Sequence, residues 1–213
     1  MLRPTLVIAA TLAAVIVAVP SLPAAASVDL GEEEFRLYCG YLDASADPAM
    51  AKLKPAVRDE KIAKKAKVKP KVLQDAVAKG EAAGSSCEVI AKRVDSDVKA
   101  ALDKAMAGRI SFFELDASDP THVVVRVAWL GIDKKKLLEE ASLVAATVVK
   151  EAPMVKTLAL RGVDPSASDK NADEAGWFDA KISGLNARRI DVPKIWEYAT
   201  TRYRRLFDGI VER

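Results

Sequence analysis

Histidine is almost missing from this chain: His122 stands alone among 213 residues. A serine or cysteine nucleophile of the triad kind needs an imidazole to take its proton, and this one follows Pro120 and Thr121 at the mouth of a turn. No serine stands in a Gly-x-Ser-x-Gly elbow. Cysteine is equally scarce, with Cys39 and Cys87 alone, too few for a thiolate metal cluster. The glycines fit neither phosphate-cradling pattern, G-x-x-x-x-G-K-[ST] or G-x-G-x-x-G. Charge of one sign is also missing overall: 33 basic residues meet 30 acidic ones, a balance that points to no class of partner. The sequence thus assigns no catalytic, metal or cofactor residue.

What is present begins with an export signal. Arg3 precedes Leu6–Val19, an apolar run of 14 residues with one threonine, and Ala24-Ala25-Ala26 follows Pro20 and Pro23. A charged start, a short apolar middle and a small-residue end are the parts of a cleavable leader. The run is shorter than the roughly 20 residues of a membrane span. Residues 1–26 therefore read as a signal peptide, with cleavage after Ala26 and a periplasmic or extracellular destination. No later segment approaches a membrane span. In an oxidising compartment an even number of cysteines suggests a Cys39–Cys87 disulfide; two buried free thiols are the alternative.

Residues 27–86 read as a small helical, lysine-rich subdomain. Phe35, Tyr38, Cys39 and Leu42 share one helical stripe. A second helix starts near Leu53 and Pro55 and runs to Lys67. A third starts at Pro70, with Val72, Leu73, Ala76 and Val77 inward and Gly80 and Gly84 closing it. Residues 87–213 read as an α+β domain. A helix over 86–106 is followed by strands Ile110–Asp116 and His122–Leu130, in which Val123, Val125, Val127 and Trp129 alternate onto one face. Asp133 caps a helix to about Glu151. Strands Val155–Val163 and Trp177–Ser183 flank a polar loop, and a last helix from Asp191 carries Val192, Ile195, Trp196, Ala199, Tyr203, Leu206, Phe207 and Ile210. The expected fold class is α+β: the helical subdomain, then a two-layer αββαββα sandwich with a mainly antiparallel sheet.

Two stretches carry resemblances. Ile62-Ala63-Lys64-Lys65-Ala66-Lys67-Val68-Lys69-Pro70 through Val77 resembles a helix-turn-helix of the DNA-binding repressor type, with Lys67 where such turns often carry glycine. The export signal separates the chain from chromosomal DNA, so no nucleic-acid partner is expected. Residues 95–162 are similar in element order to the BON domain of envelope proteins, and Asp95-Ser96-Asp97-Val98-Lys99-Ala100-Ala101-Leu102 resembles its opening helix. Asp119-Pro120 replaces the glycine-bearing hairpin expected there. That resemblance implies a non-enzymatic envelope module.

The acids form no obvious pair. Glu32-Glu33-Glu34 opens a helix, where negative charge offsets the helix dipole. Glu139 and Glu140 are adjacent on a helix and point apart. Asp164, Asp169, Asp173 and Glu174 lie in the polar loop, without the spacing of a calcium-binding loop.

The strongest functional feature is local charge. Between Lys52 and Lys79 ten basic residues face three acids, an excess of seven. Lys61, Lys64, Lys65, Lys67, Lys69 and Lys71 are the candidate anion-binding residues. Almost all are lysine and none is interleaved with aromatics. Binding should therefore be electrostatic and salt-sensitive rather than a guanidinium fork or a base-stacking platform. The expectation is a non-enzymatic exported protein that meets an anionic envelope component or an acidic protein. The alternatives are a hydrolase using carboxylates in a groove of the α+β domain, and a structural homo-oligomeric subunit. The sequence leaves the oligomeric state open.

Overall fold

The computed structural model describes residues 28–166 and 176–213. The leader, and the loop positions Asp169, Asp173 and Glu174, lie outside the described residues. The helices come first: α1 (Glu32–Ala46), the single turn α2 (Pro48–Ala51), α3 (Pro55–Ala66), α4 (Pro70–Ala83) and α5 (Cys87–Ala105). Proline at the first position of α2, α3 and α4 starts each one without losing a hydrogen bond. Then come β1 (Ile110–Asp116), β2 (Val124–Leu130), α6 (Leu137–Glu151), β3 (Thr157–Val163), β4 (Gly176–Ser183), the short helices α7 (Gly184–Ala187) and α8 (Ile195–Tyr198), and β5 (Phe207–Glu212).

The five strands form one sheet in chain order, β1-β2-β3-β4-β5. Only β2 and β3 run parallel, joined by α6; the other three pairings are antiparallel. This is an α+β fold, as the alternation of hairpins and helices predicts. One sheet face is the core face: Val125, Val127, Trp129, Leu158, Leu160, Phe178 and Ile182 are buried there against Ile90, Val94, Val98 and Leu102 of α5 and against α6. Helix α6 is buried nearly all round, as expected of the element that crosses over the sheet centre.

Helix α1 serves two cores. Phe35, Tyr38 and Cys39 enter the large one, while Leu37 joins Ile62, Ala63, Leu73 and Ala76 in a second, smaller one that holds α3 and α4. Cys39 and Cys87 form a disulfide, which ties α1 to the first turn of α5. Gly80 lies inside α4 rather than at its end, because the Tyr38 ring packs flat on it; a methyl group at Gly80 would overlap that ring. Tyr38 Oη then donates to the Gly84 carbonyl at 2.9 Å. Val72, expected inward, is 43% exposed, since Leu73 and Ala76 supply the inner face of α4.

The last helix is the main correction. The apolar spacing from Val192 to Ile210 suggested one long helix, but α8 is a single turn and Phe207–Glu212 is a fifth strand. Helical extension would leave one edge of β4 unpaired; instead Phe207 pairs with Ile182 and Asp208 with Lys181. Gly209, at φ +61°, makes a bulge that returns Ile210 to the core side. Alternation broken by that bulge mimics a helical period. Trp196 and Val192, assigned to the buried stripe, are exposed, Trp196 at 65%.

Candidate functional site

The lysine-rich corner is the turn between α3 and α4 and the ends that flank it. Lys61, Lys64 and Lys65 sit on α3, Lys67 in the turn, Lys69 at the N-cap of α4 and Lys71 in its first turn. All six are exposed, and none makes an ion pair among the described residues. The turn is a Schellman closure: Val68 N–H donates to the Ala63 carbonyl at 3.0 Å and Lys67 N–H to that of Lys64 at 3.2 Å. Lys67 occupies the left-handed position at φ 59°, where a side chain costs about 1 kcal/mol relative to glycine. The start of α4 has no side-chain cap and no acid in its first turn, only lysines. Positive charge there opposes the helix dipole. Lys79, further along α4, is different: its Nζ lies 2.6 Å from Glu34 Oε1. Burial pushes the Glu34 carboxyl up, but hydrogen bonds from Lys79 and from Gly31 N–H hold it below the ordinary carboxylate range.

A second concavity, of about 810 Å³, lies on the sheet face opposite the helices. Its lining combines Ala128, Ala159, Leu130 and Val163 with Arg126, Arg161, Lys181, Asp179 and Asp208. The charges are interleaved. Arg126 Nη1 is 2.8 Å from Glu114, and Asp179 lies 3.5 Å from Arg161 and 3.4 Å from Arg213. The sequence reading missed this face, although Ala128 and Ala159 at outward strand positions were its signal.

The remaining candidates are structural. His122 is exposed in the turn before β2, where its backbone N–H donates to the Asp119 carbonyl. Asp116, Asp119 and Asp164 each accept from the hydroxyl and the backbone N–H of a serine or threonine two residues on. The hydroxyl bond first, then the backbone bond, holds each carboxyl below its ordinary range. Glu139 and Glu140 do point apart, and Glu140 is buried. It accepts from Trp129 Nε1 at 2.8 Å and from Arg109 Nη1 at 2.7 Å, which fastens α6 to the start of β1 and the end of β2. Leu137, Glu140, Ala141 and Val144 share one helical stripe, so the period alone places Glu140 inward. Among the described residues no cluster of three or more His, Cys, Asp or Glu is placed to hold a metal.

No family model, curated protein or solved structure matches this chain. The resemblances at residues 62–77 and 95–162 therefore rest on their own residues and element order. Among the described residues no helix is long and apolar enough to cross a membrane. Trp177 is half-buried, with Lys134 Nζ 5.2 Å from its ring centre. Both sheet edges are interrupted by irregular pairing, at Ser111 in β1 and at Gly209 in β5, a device that discourages edge-to-edge association.

Proposed function

We propose that this chain is an exported, non-enzymatic binding protein of the cell envelope, in the periplasm or outside the cell, whose lysine corner meets an anionic surface. One observation carries the reading: Lys61, Lys64, Lys65, Lys67, Lys69 and Lys71 flank one exposed turn, and none makes an ion pair among the described residues. The disulfide agrees with an oxidising compartment. Two features of the corner run against stability. A lysine occupies a backbone position that favours glycine, and lysines crowd the positive end of α4. Charge at the turn is thus present at a thermodynamic cost, which fits a role in attraction. Exposed Val72, next to Lys71, adds a small apolar contact of the kind a lipid headgroup layer accepts.

Binding to phosphatidylglycerol-containing vesicles tests this. Each basic residue close to an anionic membrane contributes about 1 kcal/mol. Changing Lys61, Lys64, Lys65, Lys69 and Lys71 to Gln should therefore weaken vesicle binding by at least about ten-fold, and 0.5 M salt should abolish it in the parent. Equal binding by parent and variant overturns the proposal. Lys67→Gly gives an opposite pair of signs: thermal stability should rise, by about 0.5–1 kcal/mol, while vesicle affinity falls.

A further inference from the structure

The outward face of the sheet has an ordered charge pattern. Reading across the five strands in register, one row is Glu114, Arg126, Ala159, Lys181 and Asp208. The signs run negative, positive, neutral, positive, negative. At the centre, the methyl group of Ala159 leaves a hollow between two cations on the neighbouring strands, each about 5 Å away at the backbone. Arg126 uses Nη1 on Glu114 and keeps further guanidinium donors. Lys181 is exposed and, although Asp208 opposes it in register, makes no ion pair or hydrogen bond among the described residues. In the adjoining row Ala128 faces Arg161, and beyond it Leu130 and Val163 are neighbours. A patch of small and branched apolar side chains thus adjoins the two-cation hollow, in a groove of about 810 Å³, a volume typical of small-ligand sites.

We propose that this groove binds an amphiphilic acid, one anionic head group on an apolar tail. Its acid group sits over Ala159 between Arg126 and Lys181, and its apolar body lies along Ala128, Leu130 and Val163. A second copy of the chain fits less well. Laid face to face about a two-fold axis along the strands, it sets Arg126 against Lys181, like charge on like. An uncharged apolar ligand leaves the Lys181 ammonium desolvated and unpaired. An acid with an apolar tail answers both the charge and the greasy floor.

Calorimetric titration of the protein with decanoate, decyl phosphate, decanol and acetate tests the proposal. Decanoate or decyl phosphate should bind at least ten-fold more tightly than decanol or acetate, and comparison of the two acids separates a carboxylate headgroup from a phosphate one. Lys181→Glu should weaken the better acid at least ten-fold, and Ala159→Leu, which fills the hollow, should do the same. Both side chains face solvent, so thermal unfolding serves as the check that each variant is folded. Decanol binding equal to that of the acids, full affinity in Lys181→Glu, or no binding by either acid overturns the proposal.

Discussion

Replacing Cys39 and Cys87 together by alanine should lower the folding stability by about 4 kcal/mol, read from urea unfolding of parent and variant. The bond closes a loop of 48 residues. In the chain-entropy account a ring of that size restricts the unfolded ensemble by about 4 kcal/mol at room temperature. The loop contains all of α2, α3 and α4, whose own core is only five buried residues, among them Leu37, Ile62 and Leu73. Such a core stabilises weakly on its own, so the helical corner depends on being fastened at both ends. The variant should still fold, because Phe35 and Tyr38 anchor α1 in the larger core independently of the sulfur atoms. Reduction of the parent should give the same shift. A loss below about 1 kcal/mol in both experiments would refute the clasp as the element that holds the corner.

Glu140→Ala should cost about 3 kcal/mol, the range expected when one partner of a buried, hydrogen-bonded pair is removed. The carboxylate is almost fully buried and accepts from two donors, Trp129 Nε1 and Arg109 Nη1. Arg109 reaches solvent in part and also donates to the Leu130 carbonyl at 2.7 Å, so it keeps a partner. Trp129 does not: its ring is fully buried, and its N–H would be left in an apolar interior. That difference makes the effect separable. In a double-mutant cycle of Glu140→Leu with Trp129→Phe, the orphaned donor disappears, and the double variant should cost less than the sum of the two single ones. Strict additivity would show that the tryptophan N–H is not the source of the loss.

Much of the fold was legible in the sequence because its signals are local. Val123, Val125, Val127 and Trp129 alternate, and all four are buried. Pro55 and Pro70 mark helix starts where the structure has them, and Asp133 caps the 3-10 turn Lys134–Lys136 that leads into α6. Cys39 and Cys87 pair. The failures have tertiary causes. From Val192 to Ile210 apolar spacing matches a helix, but the open edge of β4 recruits Phe207–Glu212, and the bulge at Gly209 hides the two-residue period. Lysines at the α3–α4 turn were legible as charge; that they make no ion pair among the described residues was not, since that depends on where Glu34 and Asp59 point. The Arg126–Ala159–Lys181 row comes from three strands distant in sequence, and only the register brings it together.

Strand order has a consequence for how the molecule assembles. Position in the sheet repeats position in the chain, from β1 to β5. A polypeptide that emerges N-terminus first, from a ribosome or through a translocation pore, therefore always presents its newest strand to a border already laid down. No strand has to wedge between two others, and none waits for a segment yet to appear. The one slow join is β2 to β3, where α6 must form before the parallel partners meet. Premature arrest after β2 would leave its far border bare, so half-made chains of that length are the ones a chaperone would need to shield.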